Sequence, residues 1–262
     1  MSLPRQIALS ALRRPDRHRY GTDHPSQAAD LHVPRGEGPF PVAVVLHGGY
    51  WQARYGKIIC RPQCLDLVRR GWAAWNVEYR RLGRGQGGGW PMTFDDVAAA
   101  IDHLATLEDP RLDLEDVHAV GHSAGGQLAL WAGARTAPRV PVRSVAALAA
   151  VTNLERAGAT ARELLGGGPE DVPDRFAQAD PLARAPLAIR VLLVHPADDA
   201  TVPARRSREY AEAARARGGD VELVEPPTGG HRAPIDPTTD SWEAAASWLE
   251  GQRSRRSETR AA

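Results

Sequence analysis

Gly121-His122-Ser123-Ala124-Gly125 is the stretch on which the reading of this chain turns. It fits G-x-S-x-G. Residues 117–120 ahead of it are a short apolar run that reads as a strand. Residues 124–135 behind it are rich in Ala and Leu and read as a helix. A serine at a strand-to-helix junction sits on a tight turn with its hydroxyl held clear of the sheet. Glycines on either side leave room for neighbouring chain to pass close. The following helix points its N-terminus at the serine oxygen, where partial positive charge favours negative charge. The pattern marks Ser123 as a nucleophile. The alternative, a serine in an ordinary small-residue turn, does not account for the strand and helix that flank it.

Strand and helix alternate away from this junction. Residues 42–46 are apolar, β-branched and bounded by Pro41 and Gly48, as for a strand covered on both faces. Residues 19–32 open the chain as an antiparallel pair with a turn at 21–25. Residues 57–70 read as a helix closed by Gly71, and 72–78 as the next strand. Thr93 is placed to cap a further helix, with Asp96 three positions on. Phe94, Val97, Ile101 and Leu104 then repeat along one apolar face. Strands follow at 145–151, 190–194 and 221–224, with helices at 203–217 and 240–250. This alternation predicts one α/β domain, a mostly parallel sheet with helices on both faces. The stretch 153–186 is longer than an ordinary connection and is the place for a small cap over a site. Residues 1–18 and 252–262 read as flexible ends. The Gly-rich stretch 83–89 lacks the Lys-Ser/Thr ending of a phosphate loop and reads as a flexible connection.

Composition removes several classes of function. The 262 residues carry 33 basic and 32 acidic side chains, a formal net charge of +1. That balance provides no strong field for nucleic acid or an anionic membrane. Arg80, Arg81 and Arg84 form a short basic group, read as a solvated loop. No apolar run approaches the length of a membrane span. Arg13, Arg14, Arg17 and Arg19 hint at a transit peptide, but the segment lacks its Ser-rich, amphipathic character and reads as a solvated lead-in. Cys60 and Cys64, four apart in a helix, are badly placed for a disulfide, which fits a reducing cytoplasm. The oligomeric state is not encoded in any feature of the chain.

A serine hydroxyl is a weak nucleophile and needs a base, itself oriented by a third group. Asp198 and Asp199 follow the strand at 190–194, and at this level both are candidates for the acid. Either is equally suited to capping the helix that begins near Pro203. His231, behind Gly229 and Gly230, follows the strand at 221–224 and is the candidate base among nine histidines. After the strand at 42–46 comes His47-Gly48-Gly49-Tyr50-Trp51. Small residues there let backbone N–H groups converge on a developing oxyanion. Gly48, Gly49 and Tyr50 are the expected donors, with the N–H of Ala124. His47 reads as a structural hydrogen-bonding residue. Trp51 and Trp90 are either core aromatics or walls of a substrate pocket.

Together, H-G-G-x-W, G-x-S-x-G, a late D-x-x-V-P and a final G-H resemble the esterase/lipase-type α/β hydrolases. The resemblance runs from about Tyr20 to Glu250. It implies the α/β-hydrolase fold, with a mostly parallel eight-stranded sheet, and the chain order Ser, acid, His. Asp199 stands three residues before Val202 and four before Pro203, as the family's H-G-x-x-D-x-x-V-P pattern requires. The resemblance therefore implies Ser123, Asp199 and His231 as the catalytic set. Pro196 stands where the family usually has Gly. Tyr50 in place of a third Gly sets the chain apart from the H-G-G-G hormone-sensitive-lipase type. The 47–51 stretch is similar to that of kynurenine formamidase and its bacterial relatives.

The expected function is cleavage of a small-molecule carboxylic ester or small amide through an acyl-enzyme. It needs no metal or organic cofactor and no nucleic-acid or membrane partner. A formamidase predicts a very small acyl side and an aromatic leaving group, whereas a general esterase predicts tolerance of short acyl chains. A peptidase of this fold usually carries a propeller domain, for which this chain has no room. A non-catalytic binding protein on the same fold typically lacks a member of the triad, and here all three types occur in order.

Overall fold

The computed structural model describes residues 2–10 and 15–261. Its strands are β1 (Asp16–Arg19), β2 (Ala28–His32), β3 (Phe40–Leu46), β4 (Ala73–Val77), β5 (Leu112–His122), β6 (Ser144–Leu148), β7 (Arg190–Val194) and β8 (Val221–Val224). Its helices are α1 (Leu3–Ser10), α2 (Arg61–Arg69), α3 (Met92–His103), α4 (Ala124–Gly133), α5 (Ala159–Leu165), α6 (Pro173–Ala179), α7 (Arg205–Ala216) and α8 (Asp240–Ala261). The eight strands form one sheet in the order β1-β2-β4-β3-β5-β6-β7-β8. Pairing is antiparallel from β1 to β4 through β2 and parallel from β4 to β8.

β3 shows why the sheet lies between two layers. Val42, Val44 and Leu46 pack into one core with Phe94, Ile101 and Leu128 of α3 and α4. Ala43 and Val45 alternate to the other side, against Leu67 of α2 and Trp242 and Leu249 of α8. A strand that is apolar at every position has no face to offer water, and this one is covered on both. Trp72, Trp75 and Trp242 are fully buried. Each contributes on the order of 4 kcal/mol of transfer free energy.

The sheet order also locates the site. The chain steps from β3 to β4 on one side, then returns to lay β5 on the other. The loops after β3 and β5 therefore part in opposite directions and open a crevice at the C-terminal ends of the strands. The 47–51 loop and Ser123 lie at that switch point. The loops after β7 and β8 open onto the same edge.

Several expectations are corrected. The lead-in contains α1 and β1; residues 1 and 11–14, with Arg13 and Arg14, lie outside the described residues. The last helix, expected to end at Glu250 before a flexible tail, continues to Ala261, and Ala262 lies outside the described residues. Residues 57–70 divide into a 3-10 turn (Lys57–Cys60) and α2. Thr93 does not cap α3. Its hydroxyl accepts the Gly89 N–H and donates to the Arg80 carbonyl, 2.9 and 2.7 Å away. Asp96 instead holds Arg80 and Gln27. Arg80 and Arg81 are thus tied inward, Arg81 against Glu78, and Arg84 is exposed. The glycine stretch after them is pinned as well, since Gly88 donates to the Arg81 carbonyl at 3.0 Å.

Residues 153–186 do not form a cap over Ser123. They hold α5 and α6, which pack onto the body of the domain. Leu164 accepts the Trp90 N–H at 2.7 Å, and Ala179 accepts from Gln127 at 2.9 Å. Among the described residues, no helix is long and apolar enough to cross a membrane.

Candidate active site

Ser123 has φ 55° and ψ −117°, a left-handed backbone that a side chain disfavours. The turn is held from several sides. Its N–H donates to Leu148 at 2.8 Å, and its carbonyl accepts from Gly126, Gln127 and Val151. A Cβ on Gly121 would lie 2.1 Å from the Gly125 carbonyl oxygen, and one on Gly125 would lie 2.1 Å from that of Leu46. Both glycines of the pentapeptide are required because β3, β5 and α4 converge there. Gly125→Ala is expected to lower stability by about 3 kcal/mol or to prevent folding. Thermal unfolding checks this, and an unchanged Tm contradicts it.

The H-G-G loop presses on the same turn. A Cβ on Gly48 would meet His122 Nδ1 at 2.8 Å, and one on Gly49 (φ 117°) would meet Tyr55 at 2.4 Å. Tyr50 and Trp51 continue with φ 57° and 56°. Three consecutive left-handed residues persist only if their surroundings fix them. His47 supplies part of that support. Its Nε2 lies 2.7 Å from Glu78 Oε1 and its Nδ1 lies 2.8 Å from the Gly48 carbonyl. Each ring nitrogen thus faces an oxygen, and the two contacts fix the ring in place. Tyr79 stacks on the ring at 4.4 Å and donates to the His47 carbonyl. Burial opposes the Glu78 charge, but His47 and Arg81 hold its carboxyl below the ordinary range. The N–H groups of Gly48, Gly49, Tyr50 and Ala124 make no hydrogen bond to another described residue.

The two aspartates separate by partner. Asp199 Oδ2 lies 2.7 Å from His231 Nδ1, while Oδ1 accepts the N–H groups of Thr201 and Val202. Asp198 instead accepts the N–H groups of Gly229 and Gly230 at 3.1 and 2.8 Å. One carboxylate faces the imidazole and its neighbour fixes the loop that carries the imidazole. Burial opposes ionisation of Asp199, yet hydrogen bonds from His195, His231 and Val202 hold its carboxyl far below the usual range.

Two histidines in the site escape the sequence reading. His195 is fully buried; its Nε2 lies 2.8 Å from the Val202 carbonyl and 3.2 Å from Asp199 Oδ2. Its place directly after β7, at the first position of the H-G-x-x-D-x-x-V-P pattern, is the clue the sequence holds. His122, inside the pentapeptide, has Nε2 2.8 Å from the His231 carbonyl, with ring centres 4.6 Å apart. Because a carbonyl only accepts, His122 Nε2 carries the hydrogen. Together with the Asp198 contacts, this bond fixes the backbone of the His231 loop.

Burial, with His231 nearby, pushes the His122 pKa down to about 3 from 6.5. Between those values the unfolded chain holds a proton on this ring that the folded chain lacks. Its contribution to stability is therefore complete above pH 6.5 and is lost on acidification, by about 1.4 kcal/mol per pH unit. Urea unfolding at pH 4.5 and 6.5 should show a shallower dependence for His122→Gln. Equal slopes overturn the assignment.

Ser123, His122 and His231 line one cleft of about 140 Å³, with Gly49 and Tyr50 at its edge. Its walls are Tyr55, Ile59 and Ile235, closed by Leu3 and Ile7 of α1. Gln6 fastens that helix to Asp236 at 2.8 Å. Neither Trp51 nor Trp90 lines this cleft. Trp51 is 2% exposed, and its Nε1 donates to Gln127 of α4, which fastens the strained loop to the helix. Trp90 stacks edge-on against Phe94 and faces a separate hollow beside Trp131 and Arg184.

A family model described as BD-FAE matches residues 29–213. Among curated proteins, none matches the chain in sequence. Several solved structures share its fold. A truncated carbohydrate esterase from gut microbiota has a TM-score of 0.79 at 19% identity, covering 90% of this chain and 94% of that one. An acetyl ester-xyloside bifunctional hydrolase from Caldicellulosiruptor lactoaceticus gives 0.75 at 21%, covering 91% and 96%. A butyrate-bound thermophilic esterase from Thermogutta terrifontis gives 0.72 at 22%, covering 94% of each chain.

Proposed function

The chain belongs to the BD-FAE family, and from that premise we propose that it is a serine hydrolase that cleaves carboxylic esters of small molecules. The observation that carries this reading is the 2.7 Å contact of His231 with a buried Asp199, in the cleft that holds Ser123. In this reading Ser123 Oγ attacks the ester carbonyl and His231 takes its proton. The N–H groups of Gly49, Tyr50 and Ala124, with Gly48 behind them, receive the oxyanion. Collapse of the intermediate expels the alcohol, which leaves with the proton from His231. Water then attacks the acyl-enzyme by the same route, releasing the acid and restoring Ser123. Asp199 keeps the imidazole in the tautomer that accepts at Nε2. Every step uses side chains and backbone N–H groups of this chain, and water.

The size of the cleft favours a compact substrate. A cavity of about 150 Å³ accommodates one benzene ring, and the cleft here is about 140 Å³. The butyrate held by the Thermogutta esterase is of matching size. Within this reading the finer possibility is an arylformamidase, for which the H-G-G-Y-W stretch and a small cleft between Tyr50 and Tyr55 speak. Steady-state kcat/KM for p-nitrophenyl acetate and N-formylkynurenine, measured side by side, tests both levels. Esterase function predicts saturable turnover of the acetate. A preference of several orders of magnitude for N-formylkynurenine marks the formamidase, and turnover of neither refutes the hydrolase.

A further inference from the structure

We propose that the substrate carries a carboxylate on its leaving group and that Arg232 binds it, an inference that rests on the hydrolase reading above. The cleft walls are aliphatic and phenolic, and among the described residues no carboxylate lines it. Among the described residues, Arg232 is the one arginine that lines it. Arg70, Arg80, Arg81, Arg135 and Arg208 each hold an acidic side chain. The exposed Arg232 guanidinium makes no hydrogen bond or ion pair with any described residue; only its backbone carbonyl is engaged, by the Ile235 N–H. Acidic side chains of neighbouring segments are committed elsewhere, Asp198 and Asp199 to Gly229, Gly230 and His231. Asp236 accepts from Gln6 and Thr238, and Glu78 holds His47. Arg54 adds a second guanidinium, 5.0 Å above the ring of Tyr55, a wall of the same cleft.

Position in the chain assigns the side of the substrate. Arg232 follows His231, the residue that returns the proton to the departing oxygen. Groups beside His231 therefore face the leaving group. A guanidinium binds a carboxylate through two parallel N–H bonds, and an exposed one at the mouth of the cleft does so subject to screening by salt. A compact aromatic alcohol bearing an acid meets all three features of the cleft.

The test pairs 3-acetoxybenzoate with 3-acetoxybenzamide, which differ in charge and little in shape. The expected result is a kcat/KM ratio of about tenfold or more in favour of the acid. This ratio should shrink with added salt, collapse toward unity in Arg232→Gln and be partly restored in Arg232→Lys. Arg143→Gln, an exposed arginine at the far end of the sheet, controls for the change in net charge. Calorimetry on Ser123→Ala with 3-hydroxybenzoate and 3-hydroxybenzamide gives a readout independent of turnover. Turnover of both esters without preference overturns the carboxylate site and leaves the hydrolase standing. Preferential binding of the hydroxybenzoate without turnover of either ester keeps the site and sinks the hydrolase. Equal binding of the two products overturns the site under either outcome.

Discussion

Ser123→Ala is expected to lower kcat on p-nitrophenyl acetate by about 10⁴ or more with the fold intact. The size follows from the chemistry. Removal of the nucleophile of such a triad leaves only the oxyanion donors and binding, worth roughly 10³ to 10⁴ over water. Methyl for hydroxyl changes little in packing, because the turn is fixed through backbone: Leu148 receives the Ser123 N–H, and three N–H groups converge on its carbonyl. Ser123→Gly separates chemistry from conformation. It loses the same activity, but it relieves the φ of 55°, and a residue so strained costs about 1–3 kcal/mol. Its Tm should therefore rise by a few degrees, despite the extra freedom of a glycine when unfolded. Stopped assays, thermal unfolding and labelling by a fluorophosphonate read these effects. If Ser123→Ala retains a tenth of the activity, or if the probe labels it as readily as the parent, Ser123 is not the nucleophile.

Much of this arrangement is legible in the sequence because it is written in local rules. Unbroken apolar runs such as 42–46 and 191–194 fit only strands covered on both sides. G-x-S-x-G announces its turn because three chain segments meet where only glycine fits. What sequence does not show is where a side chain ends in space. Trp51 follows the strained loop and looks free to line a pocket, yet its indole turns inward to Gln127, 76 positions later. The cap expected at 153–186 has apolar residues enough to close a cleft, but they are consumed by the sheet, with Leu164 and Leu165 fully buried. Conversely, α1 is too short to announce itself. Leu3 and Ile7 gain meaning only when Gln6 meets Asp236, 230 residues away. His122 was hidden for the same reason, since its role lies in the His231 carbonyl, 109 positions later.

The adjacent aspartates put the reading of the site to its sharpest trial. Asp199→Asn should lower kcat by about 10³ to 10⁴, while Asp198→Asn should cost about tenfold or less. The asymmetry lies in what each carboxylate receives. Asp199 accepts His231, His195 and two backbone N–H groups in a buried position. An amide there keeps one accepting oxygen and sets an NH2 against the remaining donors. If that NH2 faces His231 Nδ1, the ring must carry its proton on Nε2, where it cannot take one from Ser123. Asp198 accepts two glycine N–H groups, and an asparagine oxygen retains one of them, so the loop loses about one hydrogen bond, worth roughly 1 kcal/mol. The same contrast should appear in acid. The folded Asp199 carboxyl lies below its unfolded range, so its stabilisation is complete above the unfolded carboxyl pKa of about 4 and is lost as pH falls below it. Asp199→Asn should remove that part of the acid transition, visible as a smaller loss of Tm between pH 5 and 3. A reversed pattern, with Asp198→Asn inactive and Asp199→Asn active, would move the acid of the triad to Asp198 and leave the 2.7 Å contact with His231 without a catalytic role.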